Sequence, residues 1–313
     1  MHQEREPAVV VDGLRKTYGE KVAVDEISLN VYEGEIFGIL GPNGAGKSTT
    51  VESIAGLRVG DRGRIRVHGI DPWTDRAALT EVLGVQLQEA KLQQKITVQE
   101  ALELWSAFYP DPEPWAPLAE RLGLGAHLRQ RFENLSGGQQ QRLSIALALI
   151  GRPRVVVLDE LTTGLDPRAR REVWDLVRDV RDRGVTVLLV THSMEEAQLL
   201  CDRIAIVDAG RIRALDTPAG LIDAASAATI TTFETSVAID LASLRDLDGV
   251  TAARSENGTV TVEGAEGVAL AVVEVLRTQG VAPQRLRVAA GSLDAAYLDL
   301  TETDTDVRQE ALR

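Results

Sequence analysis

The sequence predicts an α/β domain, divided by a helical insertion and followed by a small α+β domain. Three observations carry that expectation. Short β-branched runs alternate with helical segments over residues 8–222, the order of a parallel-sheet domain. The runs 36–40, 155–158 and 186–190 are rich in β-branched and other apolar residues and end in polar or Gly residues, as parallel central strands covered on both faces do. Composition then shifts after Pro218, where the small residues 224–228 read as a linker.

Taken in order, the strand signal fades between about 89 and 150. Thr97-Val98-Gln99-Glu100 is a capping-box pattern opening a helix over 98–108, and the Pro-rich stretch 110–117 breaks it. Beyond the linker the pattern reads strand 229–234, helix 240–246, hairpin 250–262, helix 265–279, strand 285–289 and helix 292–300. Asn257-Gly258 suits the hairpin turn. Val268, Ala271, Val272, Val275 and Leu276 share one helical face, and Gly280 ends that helix. The expected division is therefore 1–222, 223–301 and a charged, frayed tail at 302–313.

Composition bounds the function. The 313 residues are 44% hydrophobic and 26% charged, ordinary for a folded chain. A net charge of −13 argues against a nucleic-acid binder that relies on a basic surface, so no nucleic-acid partner is expected. The single cysteine, Cys201, cannot form an internal disulfide and falls at helical spacing with Ala197, Leu200 and Ile204, as a core thiol would. The N-terminus lacks a signal peptide's apolar stretch, and no run reaches the ~18 apolar residues of a membrane span. Membrane association is expected to come through another chain.

Gly41-Pro42-Asn43-Gly44-Ala45-Gly46-Lys47-Ser48-Thr49 fits the phosphate-loop pattern in its required context, after a strand and before an uncapped helix over 49–55. The glycines let successive N–H groups point at one anion, and the helix N-terminus adds positive potential. Lys47 is placed to reach the β- and γ-phosphates of ATP, and the Ser48 hydroxyl to coordinate Mg²⁺. Asp159 and Glu160 end the run 155–158. Side chains alternate along a strand, so the two carboxylates cannot do the same job unless the chain turns there. One can hold hydrated Mg²⁺ while the other faces an attacking water.

Leu135-Ser136-Gly137-Gly138-Gln139 then places Ser136 at an N-cap position before a helix over 140–149, a second anion-binding helix end. With this motif the sequence resembles the nucleotide-binding subunits of ABC (ATP-binding cassette) transporters, whose hallmark is this LSGGQ signature. The resemblance covers about residues 8–222, with the motifs in the family's order. It implies a P-loop NTPase cassette, with a mixed sheet core and a helical subdomain, that binds ATP and Mg²⁺.

The same resemblance implies further roles. Tyr18 matches the aromatic that stacks on adenine. Gln88 matches the Q-loop glutamine that touches Mg²⁺, with Gln86 near enough to compete for that assignment. Asp166 matches the D-loop, and His192 the switch histidine near the γ-phosphate. Metal contacts then fall to Ser48, Gln88 and Asp159, and catalysis to Glu160, His192 and Lys47. Leu135–Gln139 would act on the ATP of a second cassette, whether an identical chain or a paralogue. One departure is Leu161 where the family usually has proline, which removes a fixed φ beside Glu160 and could loosen it.

The cassette is most similar to those of bacterial drug-resistance exporters, which work with a separate transmembrane permease and would lie peripherally on the cytoplasmic face of the membrane. A lipid or haem exporter or an importer cassette is the alternative reading. Translation and DNA-repair ATPases of the family fit worse, because the chain has one phosphate loop and no long coiled-coil insertion.

Overall fold

The computed structural model describes residues 6–87, 92–224, 229–235, 239–256, 258–265, 267–289 and 292–297. Gln88, Asn257 and the expected tail at 302–313 lie outside them, as does most of the expected linker. The chain divides into two compact units that meet between Pro218 and Ala219. That division falls slightly before the expected 222, at the first residue of the helix Pro218–Ala224.

The first unit opens with β1 (Pro7–Tyr18), β2 (Lys21–Tyr32), β3 (Ile36–Leu40), α1 (Lys47–Ile54), β4 (Arg62–Val67), α2 (Arg76–Val82) and β5 (Leu83–Gln86). Three helices of the insertion follow, α3 (Val98–Ser106), α4 (Trp115–Arg121) and α5 (Gly137–Leu149). The chain returns to the sheet through β6 (Val155–Asp159), α6 (Pro167–Asp182), β7 (Thr186–Thr191), α7 (Met194–Leu200), β8 (Arg203–Asp208) and β9 (Arg211–Asp216).

Two sheets result. A six-stranded sheet has the order β5-β6-β7-β3-β8-β9, parallel except for the terminal hairpin β8–β9. An antiparallel sheet β2-β1-β4 lies beside it, with Phe37, Ile39, Val51 and Ile54 sharing a core with Val9, Val11, Leu14 and Ile27. Every residue of β3, β6 and β7 is buried, which is why those three runs read as uninterrupted apolar stretches. The expected capping box is present: Glu100 N–H donates to Thr97 Oγ1 at 3.2 Å, and Thr97 N–H to Glu100 Oε2 at 2.9 Å. The helix it opens ends at Ser106, two residues short of the expectation.

The second unit completes α8 (Pro218–Ala224) and continues through β10 (Thr229–Glu234), α9 (Leu241–Arg245), β11 (Val250–Glu256), β12 (Thr259–Gly264), α10 (Val268–Thr278) and β13 (Gln284–Ala289). Its sheet order β11-β12-β10-β13 is antiparallel throughout. The βαββαβ order with the first strand between the third and the fourth is a ferredoxin-like arrangement. Val268, Val272 and Leu276 of α10 pack on Phe233, Val260 and Val262 of the sheet, as the helical spacing predicts. Ser292 begins a last short helical turn, with Ala296 N–H donating to its carbonyl at 3.0 Å.

Candidate nucleotide-binding and hydrolysis site

The phosphate loop leaves the central strand β3 and enters α1, so it is anchored on the most buried part of the sheet. The helix begins at Lys47, two residues earlier than expected, and has no side-chain cap. Its first amides are therefore left for an anion. Two glycines are required by packing: a Cβ on Gly41 would stand 2.1 Å from the Val207 carbonyl oxygen, and one on Gly46, at φ 105°, 2.4 Å from that of Ala23. The β8–β9 turn braces the loop from behind. Gly210 N–H donates to the Ala45 carbonyl at 2.9 Å, and Asp25 N–H to the Gly210 carbonyl at 2.8 Å.

Lys47 is buried, and its Nζ donates to the carbonyls of Gly41 at 2.8 Å and Pro42 at 3.0 Å. Burial lowers its pKa, offset by the negative charges of Glu160 and then Asp159. A cleft of about 370 Å³ opens in front of it, lined by Asn43, Gly44, Gly46, Ser48 and Thr49 of the loop, by Glu160, and by Tyr18, Lys21 and Ala23. Lys21 and Ala23 escaped the sequence reading. They flank a hairpin turn and carry no motif, and only the pairing of β1 with β2 brings them to Tyr18.

Tyr18 is 41% exposed at the end of β1, with the Arg58 guanidinium 5.5 Å and Lys16 Nζ 5.8 Å from its ring centre. Asp61 pins the strand end, accepting from Thr17 N–H and Thr17 Oγ1 at 2.7 Å each and from Lys16 Nζ at 2.9 Å. The hydrogen bonds from Thr17, then that from Lys16, hold the Asp61 carboxyl down to about 2.

The chain turns at the adjacent carboxylates. Asp159 is the last residue of β6, 4% exposed, and Glu160 follows at φ 50°, a left-handed conformation unusual outside glycine. Glu160 N–H donates to the Val190 carbonyl at 2.9 Å, and its Oε1 lies 3.2 Å from His192 Nδ1. Glu160 and His192 are thus adjacent, one just past β6 and the other just past β7. Leu161 is fully buried, so packing anchors the position where the family usually places a proline ring. Gln86, the competitor to Gln88, is buried and accepts from Asp159 N–H through Oε1 at 3.1 Å.

The signature caps α5 directly. Ser136 is the N-cap and the helix starts at Gly137, not at residue 140, because the two glycines adopt helical geometry. Ser136 Oγ accepts from Gln139 N–H at 3.3 Å and Gln139 Oε1 accepts from Ser136 N–H at 2.8 Å, a capping box absent from the sequence reading. Added side chains at Gly137 and Gly138 would press on Leu165 and Ala169 at 3.1 and 3.2 Å. Asp166 caps α6, accepting from Arg168 N–H at 2.9 Å and Ala169 N–H at 3.1 Å. Leu135 to Gln139 are not among the described residues that line the cleft.

Residues 24–163 match the ABC transporter family. Over 316 aligned residues the chain is 37% identical to the daunorubicin resistance ATP-binding protein DrrA3 of Streptomyces coeruleorubidus, covering 97% of this chain and 99% of that one. This chain belongs to the ABC transporter family. A second relative, the linearmycin resistance ATP-binding protein LnrL of Bacillus subtilis, is 37% identical over 215 residues, 67% of this chain and 69% of that protein. Among solved structures, a dimeric ATP-binding cassette in a post-hydrolysis state with ADP and Pi superimposes with a TM-score of 0.59 at 29% identity, covering 67% of this chain and 98% of that one.

The chain is accordingly an ATP-binding and ATP-hydrolysing subunit of an ABC transporter, and the P-loop cassette fold and the resemblance to drug-resistance subunits are borne out. As such a subunit it serves a membrane partner. None of its described helices is long and apolar enough to cross a membrane.

Proposed function

We propose that two copies of this cassette, or one copy and a paralogue, lie on the cytoplasmic face of the membrane, close on two ATP molecules and so drive export of a hydrophobic, drug-like compound through a separate transmembrane permease. The resistance proteins among its relatives support the export reading. One structural observation carries the dimer: the cleft holds the phosphate loop, Tyr18 and Glu160, while the signature caps a different helix and does not line it. Each site is then completed by Ser136 and Gly138 of the second subunit.

Within one site, Tyr18 stacks on the adenine. The amides of 41–49 and Lys47 Nζ hold the phosphates, Lys47 turning from the Gly41 and Pro42 carbonyls to the γ-phosphate. Ser48, Gln88 and Asp159 would hold Mg²⁺. The hydroxyl of Ser48 in the cleft and the buried Asp159 carboxylate are the hard oxygen donors that ion prefers. When bound it would neutralise charge on the β- and γ-phosphates. Glu160 takes a proton from the attacking water as its oxygen bonds to the γ-phosphorus, and the bond to the β–γ bridging oxygen breaks to leave ADP. His192, 3.2 Å from Glu160, steadies that carboxylate and the γ-phosphate.

The second unit helps to hold two cassettes together or regulates them, and does not catalyse. Among its described residues the only buried polar side chain is Thr231. The composite site is tested by mixing Lys47→Ala subunits, which keep their signature, with Ser136→Arg subunits, which keep their phosphate loop. Mixing is expected to restore hydrolysis that neither variant shows alone. Mixtures inactive at every ratio, together with wild-type specific activity that stays constant down to nanomolar protein, would contradict it.

A further inference from the structure

We propose that Glu196 is a positioning residue for hydrolysis: its buried carboxylate ties the turn after Glu160 to the helix after Asp166 and to the helix after His192. The inference rests on the reading of Glu160 as the base and adds to it the device that keeps Glu160 in place.

Glu196 lies in the first turn of α7, where its N–H donates to Ser193 Oγ at 3.3 Å, one residue beyond His192. Its side chain turns inward and the residue is 1% exposed. There Oε1 accepts from two donors, Thr162 Oγ1 at 3.0 Å and Trp174 Nε1 at 3.0 Å, both on buried residues. Thr162 stands two residues past Glu160, and its carbonyl accepts from Leu165 N–H at 3.2 Å in the turn that runs on to Asp166. Trp174 sits in α6, the helix that Asp166 caps. One oxygen thus joins the three segments that carry Glu160, Asp166 and His192.

Packing alone does not account for a carboxylate here. A buried acid is costly unless its oxygens are satisfied, and apolar side chains would fill the space at less cost. Glu196 Oε2 has no hydrogen-bond partner among the described residues, so the group is only half satisfied. What the side chain supplies is direction: one oxygen accepts from both Thr162 Oγ1 and Trp174 Nε1 and so ties the base of one turn to a neighbouring helix. That turn needs such a fix. Glu160 holds a left-handed φ of 50°, a strained conformation that persists only when its surroundings impose it, and Leu161 brings no ring to help. Thr162 is the first side chain after the strain that can be tied by a hydrogen bond.

The test is steady-state ATPase kinetics of the full chain in Glu196→Ala, Glu196→Gln and Thr162→Val, with Glu160→Gln alongside and the unfolding temperature of each. Because misplacing a catalytic group by about 1 Å can cost on the order of 10²-fold, Glu196→Ala and Thr162→Val should lower kcat by about tenfold to a hundredfold and leave KM for ATP within about twofold. Glu196→Gln keeps an oxygen that can accept from both donors and should recover kcat to within about threefold of wild type. Wild-type kcat in folded Thr162→Val overturns the proposal, even if Glu196→Ala fails to fold. So does a joint loss of kcat, KM and thermal stability without rescue by glutamine, the pattern of a packing residue. Wild-type turnover by Glu160→Gln would instead remove the underlying reading of the base.

Discussion

The two units of this chain bury different chemistry. In the cassette, Lys47, Gln86, Asp159, Thr162, Thr191 and Glu196 are all buried, and they gather where β3, β5, β6 and β7 end or in the segments that follow. In the C-terminal unit the described core is Phe233, Val260, Val262, Val272 and Leu276, with Thr231 alone among buried polar residues. Desolvating a charge is expensive, so a fold that does it repeatedly around one cleft is maintaining a site. A fold that buries hydrocarbon alone is maintaining a shape. The difference teaches where substitutions should change rate and where they should change assembly.

The sharpest way to break this comparison is Lys47→Ala. With a single phosphate loop in the chain, removing its cation should lower hydrolysis by on the order of 10²–10³ or more while the folded core persists, as read by ATPase assay and circular dichroism. Retained activity would mean that the buried lysine is structural.

A chain ending at Ala224, which keeps α8 whole, should change ATPase activity of the cassette by no more than about twofold, since no described residue beyond that point lines the cleft. It should lose nucleotide-free dimers, or transport in the assembled complex, as sedimentation and efflux measurements would show. Equality with the full chain in all three would remove the assembly role. Lost ATP binding by a folded truncation would show that the division at Pro218 misplaces the cassette's edge.

Arg58→Ala should have the smallest effect. The guanidinium faces the Tyr18 ring at 5.5 Å, and an exposed cation–π contact amounts to about 0.5–1 kcal/mol, so KM for ATP should rise about two- to fivefold with kcat unchanged. An unchanged KM would mean that Tyr18 needs no such support.

How much of this was legible in the sequence follows the range of the interactions involved. The strands β3, β6 and β7 were legible because burial on both faces writes itself as continuous apolar runs, and the phosphate loop and signature because their residues are contiguous. β1 and β2 were not: their ladder is interrupted by register shifts at Leu14 and Lys16, which blur the alternation a strand needs to be read. The elements of the C-terminal unit were found, but not the order β11-β12-β10-β13, since pairings between distant strands leave no local trace. Within the site, the sequence left a turn at Glu160 open, and nothing local signalled its left-handed φ. Glu196 carried no signal in the sequence, because its partners Trp174 and Thr162 stand 22 and 34 positions away.

The central claim is that Glu160 is the base of a site completed by a second cassette, and Glu160→Gln tests both halves at once. The amide keeps the shape but cannot take the proton, a loss on the order of 10²–10⁴ in rate. Size-exclusion chromatography of this variant in the chain ending at Ala224, with ATP and Mg²⁺, should show a stable dimer that the same chain with Glu160 intact, which turns ATP over, does not accumulate. A variant that elutes as a monomer at saturating ATP, or that hydrolyses ATP at the wild-type rate, would contradict the account.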